Sequence, residues 1–433
     1  MISYLLFCLG FLGVGAVLVF TKAVRGLSTK AKAAVWMSKG IAALALIVIY
    51  TQVYPVRNEA DIFKYFDDSK VLSQVSQENS RAFLRIMVGA TQERDTVYLN
   101  RMNYWFRSYD HGITNDNRLI IRINAVMNLL TQSRYELNLS LFLGLSFIGG
   151  FWIYLFLGHF TRWKSVAFIS AFLVPSTLFW SSGILKEAVL MAALGGFLIS
   201  TLRLTKRFQW KELILGCLSL WILANLKIYI LYALIPAMLL VIGYSWFKSR
   251  IKTLVWTLVW VLGFYGIMAL IFPSWSLIST LQGKQFDFIQ MAKAVHAGSQ
   301  IWIIPMDGTW FTMLKLVPLG IFNTMFYPHL FMVKNALTAM AFLENTALLL
   351  ALGGCLYGIL RKRGFSYWGW GFLLFSFTVF ALVGMTAPVV GAMVRYKAPV
   401  LPFLVFAIIH AQPNFLLRYL EHHKFTQWLT TQL

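Results

Sequence analysis

The feature that most constrains this chain is a series of long apolar segments separated by short loops rich in lysine and arginine. An α-helix needs roughly 20 consecutive apolar residues to cross a bilayer, and on that scale the sequence predicts about eleven crossings. The predicted spans are residues 3–20, 34–54, 137–157, 165–180, 184–202, 212–226, 228–247, 252–272, 336–360, 367–386 and 398–412. The expected fold is an all-α polytopic membrane protein with one integral membrane domain, residues 1–433.

Composition supports this class, because 59% hydrophobic and 12% charged residues do not match the surface of a soluble protein. The net charge of +22 would suggest nucleic acid in a soluble chain, but here the basic residues lie in short loops between apolar segments. They indicate topology, and no nucleic-acid partner is expected. All three cysteines, Cys8, Cys217 and Cys355, fall inside apolar runs, so neither a disulfide framework nor a zinc pattern follows.

Every second loop between the predicted spans is basic. Cytoplasmic loops carry an excess of lysine and arginine, so this alternation predicts that the N-terminus is outside and the C-terminus inside. The basic residues are Lys22, Arg25, Lys30 and Lys32; Arg162 and Lys164; Arg203, Lys206, Arg207 and Lys211; Lys248, Arg250 and Lys252; Arg361, Lys362 and Arg363; and Arg418 and Lys424.

Two long segments, residues 55–135 and 273–335, are then predicted to lie on the extracytoplasmic side. The first is a long loop that mixes aromatic residues with arginines, a composition suited to amphipathic helices in the membrane interface. The second is interrupted by polar residues and prolines, and we expect it to be partly re-entrant.

Carboxylates are scarce in this chain, with 16 in 433 residues, yet four fall within residues 58–68, directly after the second predicted span. Asp61 is close enough to the end of that span to face a cavity at membrane level. Asp67 and Asp68 are expected to be solvated loop charges. Glu59 fits either a solvated charge or a contact to substrate.

Three groups of cations lie on the predicted outer side, against the usual bias: Lys186, Lys227 and the sequence Arg395-Tyr396-Lys397. Each is predicted to stand at the outer start of a span. A helix N-terminus already carries partial positive charge, so a cation there is unfavourable unless an anion is present. Together these starts predict an anion-binding site with phosphate as the usual occupant. The alternative is that the side chains extend to lipid phosphates.

Three further side chains are candidates for the same site or for pairing within the protein. Glu187 is expected to contact substrate or to pair with a neighbouring cation. Glu344 lies inside a predicted span and must find a partner, because a lone charge at mid-bilayer costs roughly 2.5–3.5 kcal/mol. His329 is polar and predicted to be outside, where it would line a site or belong to a turn. No spacing of ligands indicates a metal, and the residues neither require nor exclude a divalent cofactor.

An outward carboxylate beside phosphate-binding cations predicts group transfer from a lipid-linked phosphate. The carboxylate would act as general base on an acceptor hydroxyl, and fixed cations would stabilise the departing phosphate. No glycine loop for nucleotides is recognisable in the sequence. A polyprenyl-linked donor therefore fits better than a nucleotide sugar.

The acidic stretch 58–65, which follows an N-terminal span and opens a long outer loop, resembles the catalytic first loop of the glycosyltransferase C superfamily. Residues 175–187 and 395–402 are similar to stretches in bacterial membrane proteins of cell-envelope polysaccharide synthesis. The resemblance implies an enzyme of the bacterial inner membrane with its active site outside. It implies Asp61 as general base and Lys186 and Arg395 as contacts to the donor phosphate.

The partners implied are a polyprenyl-phosphate-linked sugar donor, a glycan, lipid or protein acceptor, and the surrounding membrane lipids. The chain departs from the commonest superfamily pattern by an extra span before the acidic loop. A second carboxylate is not assignable between Glu59 and Asp67, so the identity of the base and the use of metal stay open.

Two other functions fit the same features. An O-antigen-type polymerase or ligase also joins lipid-linked glycans on the outer face, although its main arginine-bearing loop usually comes late in the chain. A lipid-linked glycan flippase or other transporter would also need cations in an outward cavity, together with charges through the midplane and often repeat symmetry.

Overall fold

The computed structural model describes residues 2–21, 26–53, 57, 60–106, 115–294, 298–360 and 366–412. Within these ranges the chain forms α-helices and short 3₁₀ turns, and the one β-type contact is an isolated bridge between Gln300 and Val389. The all-α prediction is confirmed.

The helices fall into three groups along the chain. The N-terminal pair and the helices of the first loop are α1 (Ile2–Phe20), α2 (Thr29–Val53), α3 (Asp61–Glu78), α4 (Ser80–Val88), α5 (Thr96–Leu99) and α6 (Asp116–Thr131). The next helices are α7 (Tyr135–Gly158), α8 (Lys164–Phe172), α9 (Pro175–Trp180), α10 (Lys186–Leu204), α11 (Trp210–Leu226), α12 (Ile228–Phe247) and α13 (Arg250–Ile271). The last are α14 (Leu277–Ala294), α15 (Trp310–Phe326), α16 (Ala336–Leu360), α17 (Tyr367–Thr386), α18 (Val390–Lys397) and α19 (Leu401–His410).

Within the described residues, eight helical segments are long and apolar enough to cross a membrane, which confirms a polytopic membrane protein. They are Thr29–Gln52, Tyr135–Gly158, Lys186–Leu204, Ile228–Phe247, Arg250–Ile271, Ala336–Leu360, Tyr367–Thr386 and Val390–His410. Each coincides with a predicted span. Of the other three predicted spans, residues 3–20 and 212–226 fall on α1 and on the 17-residue α11.

The predicted span over residues 165–180 is wrong as a continuous helix. It divides into α8 and α9, which has only six residues. Pro175 opens α9, and Val174 before it is extended. Proline disfavours the helical conformation in the residue that precedes it, so the helix is interrupted at this position.

The bundle has two distinct ends. The first loop lies at one of them, the loop end, where Phe63 of α3 contacts Tyr135 at the start of α7 with ring centroids 5.2 Å apart. From there α7 and α10 run in the same direction, in close contact at Gly149 and Gly195, where a side chain would collide with the facing backbone. Both helices finish at the opposite, basic end, where Lys206 approaches His159 at 3.4 Å.

The first loop packs as helices on the loop end. Asn128 of α6 donates a hydrogen bond to Ser69 of α3 at 2.8 Å, and both groups are buried. Asp68 is 2% exposed and accepts the backbone N–H groups of Asn103 and Tyr104 at 3.0 and 2.7 Å. The prediction that Asp68 is a solvated loop charge is therefore wrong, because α3 turns this residue towards the loop interior.

The segment 273–335 contributes α14 and α15. Helix α15 runs antiparallel to α17, and Gly320 and Gly384 allow their backbones to approach closely. Thr324 then donates to the carbonyl of Phe380 at 2.8 Å. Helix α15 thus ends beside the middle of α17. The re-entrant path of residues 273–335 stays a prediction.

Candidate functional site

A network of ion pairs lies where the first loop meets the bundle. Its members are contributed by the first turns of α3, α6 and α10, the residue before α12 and the last turn of α18. We call it the ion-pair network, and it consists of Asp61, Lys64, Asp116, Lys186, Glu187, Lys227 and Arg395. Three of these seven groups are carboxylates in the first turns of helices, where the helix dipole favours negative charge.

Arg395 holds one half of this network together. Its guanidinium contacts Asp61 through one terminal nitrogen and Glu187 through the other, the latter at 2.7 Å. Asp61 is also paired with Lys64, one turn further along α3. The side chains of Arg395 and Glu187 are 9% and 2% exposed, so this pair lies out of water.

Asp116 joins the two lysines that form the other half of the ion-pair network. One of its carboxylate oxygens lies 2.7 Å from the ammonium of Lys186 and 3.5 Å from that of Lys227. Lys186 also donates to the side chain of Asn117 at 2.7 Å. Since Asp116 belongs to the first loop and the lysines to α10 and α12, these bonds attach the loop to the bundle.

Aromatic rings surround the cations of the network. The ammonium of Lys186 lies 4.9 Å from the ring centre of Tyr65, and that of Lys227 lies 4.2 Å from the ring centre of Tyr396. Arg395 lies 5.8 Å from the ring of Trp180. Cations over aromatic faces are stabilised further when they are withdrawn from water.

The network carries an excess of positive charge. Its four cations, Lys64, Lys186, Lys227 and Arg395, face three carboxylates, which leaves one positive charge among the described members. Arg395 also has a buried Nε that lacks a hydrogen-bond partner in the part of the chain that the structure describes.

The electrostatics of Asp61 follow from its neighbours. Its partial burial by itself would raise the pKa of the carboxyl group. Lys64 and Arg395, with a further contribution from Lys186, outweigh burial and hold the pKa well below its usual range. Asp61 is accordingly a weak base while both ion pairs are intact.

The structure brings six of the predicted site residues together, although the role of each stays a prediction. Five of them are members of the ion-pair network: Asp61, Lys186, Glu187, Lys227 and Arg395. Tyr396, the sixth, stacks on Phe288 with ring centroids 5.6 Å apart while its ring faces Lys227.

Two predicted residues lie elsewhere, and a third is outside the described residues. Lys397 points towards α15 and α16, where it donates to Asn345 and to the carbonyl of Thr324. His329 is exposed in the turn after α15 and contacts the rings of Tyr327 and Phe331. Neither joins the network in the described structure. Glu59 lies outside the described residues.

Some basic residues used to predict the topology also fall outside the described ranges. These are Lys22, Arg25, Arg361, Lys362, Arg363, Arg418 and Lys424.

Carboxylates of the protein accompany the outer cations, and the predicted phosphate site stays a prediction. Lys186 and Lys227 do stand at helix starts, and both pair with Asp116. Arg395 does not: it lies in the last turn of α18, where a cation is favoured by the helix dipole. The prediction that Arg395 marks the start of a span is wrong, because α18 already begins at Val390.

Sequence reasoning missed Asp116, Asn117 and Lys64 as site residues. The signal for Asp116 was the run Asn115-Asp116-Asn117, since Asn at an N-cap followed by Asp marks a helix start. Asn115 is indeed the N-cap of α6 and accepts the backbone N–H of Asn117. Lys64 follows Asp61 by three residues, which brings the two side chains together on a helix.

Lys39 and Glu344 are ionisable side chains that are buried inside spans, away from the network. Lys39 of α2 is 3% exposed and donates to Ser146 and Ser181 at 2.7 and 3.0 Å. Glu344 of α16 is 8% exposed and accepts the backbone N–H of Ser176 at 2.7 Å. Lys39 and Glu344 are thus hydrogen-bonded to uncharged groups.

Among the described residues no group of three or more histidine, cysteine, aspartate or glutamate side chains is placed to hold a metal ion. No family model, curated protein or solved structure matches this chain. The functional inference is therefore based on the chemistry of the ion-pair network.

Proposed function

We propose that this chain is a membrane-embedded transferase that moves a sugar from a polyprenyl-phosphate-linked donor to a glycan, lipid or protein acceptor. The observation that supports the proposal most is the buried ion-pair network with its one excess positive charge. A phosphodiester carries one negative charge and would neutralise that excess. Arginine and lysine are the side chains that usually bind phosphate.

In this proposal the donor phosphate enters beside Arg395 and Lys186 and competes with Asp61 for its cations. Loss of these ion pairs raises the basicity of Asp61, because their contribution to its low pKa is removed. Asp61 then takes the proton of the acceptor hydroxyl. The hydroxyl oxygen forms the glycosidic bond, and the bond from the sugar to the phosphate oxygen breaks. Polyprenyl phosphate leaves, and the cations stabilise its negative charge.

The test of the mechanism compares Asp61→Asn with Asp67→Asn in purified protein in nanodiscs, with sugar transfer from a polyprenyl-phosphate donor as the readout. Asn cannot accept a proton, so Asp61→Asn should lower the transfer rate by about 10²- to 10⁴-fold. Asp67 pairs with the exposed Arg57 outside the network, so its variant should turn over normally. Near-normal transfer by a folded Asp61→Asn protein would refute the base assignment.

We further propose eleven crossings with the N-terminus and the loop end outside, in a bacterial inner membrane. In this proposal the three further crossings, besides the eight long spans, are α1, the α8–α9 pair and α11. Lys206, Arg207 and Lys248 lie at the basic end, as cytoplasmic loops require.

Cysteine labelling of intact cells tests this orientation in a background without Cys8, Cys217 and Cys355. A cysteine at Ser76 should react with an impermeant reagent, and one at Gln209 should react only after the membrane is opened. The reverse pattern would overturn the orientation.

A lipid-linked glycan transporter is the second candidate. It is favoured by Lys39 and Glu344, since ionisable groups buried within spans commonly mark transport pathways. Mass spectrometry of lipid-linked glycans from cells with and without the protein separates the two functions. A transferase changes the composition of the glycans, whereas a transporter changes only the side on which they accumulate.

A further inference from the structure

Glu344 has an incomplete set of hydrogen bonds although it is buried in a span of the bundle. One carboxylate oxygen, Oε2, accepts the N–H of Ser176 at 2.7 Å. The other, Oε1, is fully shielded and has no hydrogen-bond partner among the described residues. A buried carboxylate with one unbonded oxygen is unfavourable, because the desolvation of that oxygen is not compensated.

The lysine in this region does not supply the missing partner. Lys397 is 1% exposed, and it donates to Asn345 and, at 3.3 Å, to the carbonyl of Thr324. Lys397 attracts Glu344 electrostatically, but within the described structure no ion pair of 4.0 Å or less joins the two side chains. A cavity of about 10 Å³, room for roughly one water molecule, borders both Lys397 and Asn345, the neighbour of Glu344.

The other ionisable groups on the helices around α16 either bond to other residues or lie far from Glu344. Helix α9 has none, and it faces Glu344 through the backbone of Ser176. Lys315 of α15 lies against Phe311, almost three turns before Thr324. His410 of α19 bonds to Thr161 at the basic end.

We propose that Glu344 is an intramembrane binding site for an exchangeable cation, a proton or a small monovalent metal ion, which occupies Oε1. Either ligand would give Oε1 the bonding partner that it lacks within the described structure. Ser176 connects the site to α9, and α9 leads through residues 181–185 to Lys186 and Glu187 of the network. Binding and release at Glu344 can thus act on the segment that positions those two residues. The site does not depend on the proposed transferase activity.

The experiment uses dicyclohexylcarbodiimide, an apolar reagent that modifies a carboxyl group in its protonated form. Wild-type protein in nanodiscs is treated between pH 5 and pH 9, and the modified peptides are quantified by mass spectrometry. Modification of Glu344 is expected to fall as the pH rises, because the reagent reacts only with the protonated carboxyl group. Glu187, which is equally buried but bonded to Arg395, is the internal control and should stay unmodified.

Sodium chloride compared with choline chloride at equal ionic strength separates the two ligands. Protection of Glu344 by sodium alone identifies a metal-ion site, and labelling that follows pH without protection identifies a proton site. The absence of modification at every pH, or modification of Glu187 to the same extent, would overturn the proposal. Glu344→Gln, if monodisperse, should remove the labelled peptide and leave the labelling of the rest of the chain unchanged.

Discussion

The ion-pair network and the interior of the spans stabilise buried charge in different ways. At the loop end Arg395 is placed between two carboxylates, and Asp116 lies between two lysines. Inside the spans, Lys39 and Glu344 have only hydroxyl or backbone partners. Charges in the network therefore depend on one another, whereas each charge in the spans depends on local hydrogen bonds. Substitutions should have coupled and large effects in the first region and small, independent effects in the second.

The largest effect is expected from Arg395→Met, because it leaves Asp61 and Glu187 facing each other without their shared cation. Removing one partner of a buried ion pair costs about 3–5 kcal/mol. The readout is the midpoint of thermal unfolding in detergent. Arg101→Met is the matched control: Arg101 pairs with Glu78 at 2.8 Å, but both side chains are more than 40% exposed. It should cost at most about 1 kcal/mol, and equal losses in the two variants would remove the distinction between buried and exposed pairs.

A smaller effect is expected from Asp68→Asn compared with Asp67→Asn. Asp68 accepts two backbone N–H groups from residues 103 and 104, and an Asn side chain would turn its own N–H₂ towards one of them. The expected cost is about 1–3 kcal/mol in the free energy of unfolding. Asp67 bonds to the exposed Arg57, so its variant should be nearly neutral. Protease sensitivity of the first loop provides a second measurement, and equal sensitivity of both variants would contradict the role given to Asp68.

The pH dependence of the unfolding midpoint tests whether the ion pairs keep Asp61 ionised. Because the folded-state pKa of Asp61 is depressed, its stabilising contribution is present above its unfolded pKa of about 3.9 and is lost as pH falls towards the folded value. The difference in unfolding midpoint between wild type and Asp61→Asn should thus stay constant from pH 7 to about pH 5 and shrink only below about pH 4. A difference that already disappears near pH 6 would show that the ion pairs do not hold Asp61 ionised.

The smallest effect is expected from Lys39→Met. Met has a similar length and no charge to bury, so replacement should change the free energy of unfolding by less than about 1.5 kcal/mol in either direction. Lys186→Met, measured in parallel, should cost more, because it removes the buried 2.7 Å ion pair to Asp116. A loss at Lys39 as large as that at Lys186 would mean that the interior charges are coupled as well.

Helical periodicity in the sequence would have predicted one part of the site that we missed. We predicted residues 58–68 as a loop cluster, yet they belong largely to α3, on which Asp61, Lys64 and Asp68 share a face. Arg395 and Lys397, two residues apart on α18, point to opposite sides for the same reason. Grouping them as one phosphate-binding unit overlooked the geometry of a helix.

The sequence by itself determined the membrane class, eight spans and the presence of cations near one end, because bilayer thickness and charge bias act on local segments. Tertiary structure alone decided which carboxylate meets which cation. Arg395 reaches Asp61 across 334 residues, and Lys186 reaches Asn117 across 69. Such pairings depend on how helices pack side by side, and no local pattern encodes them. The same packing placed Glu344 against Ser176 with one oxygen unbonded, since only the approach of α9 to α16 fixes what that carboxylate can contact.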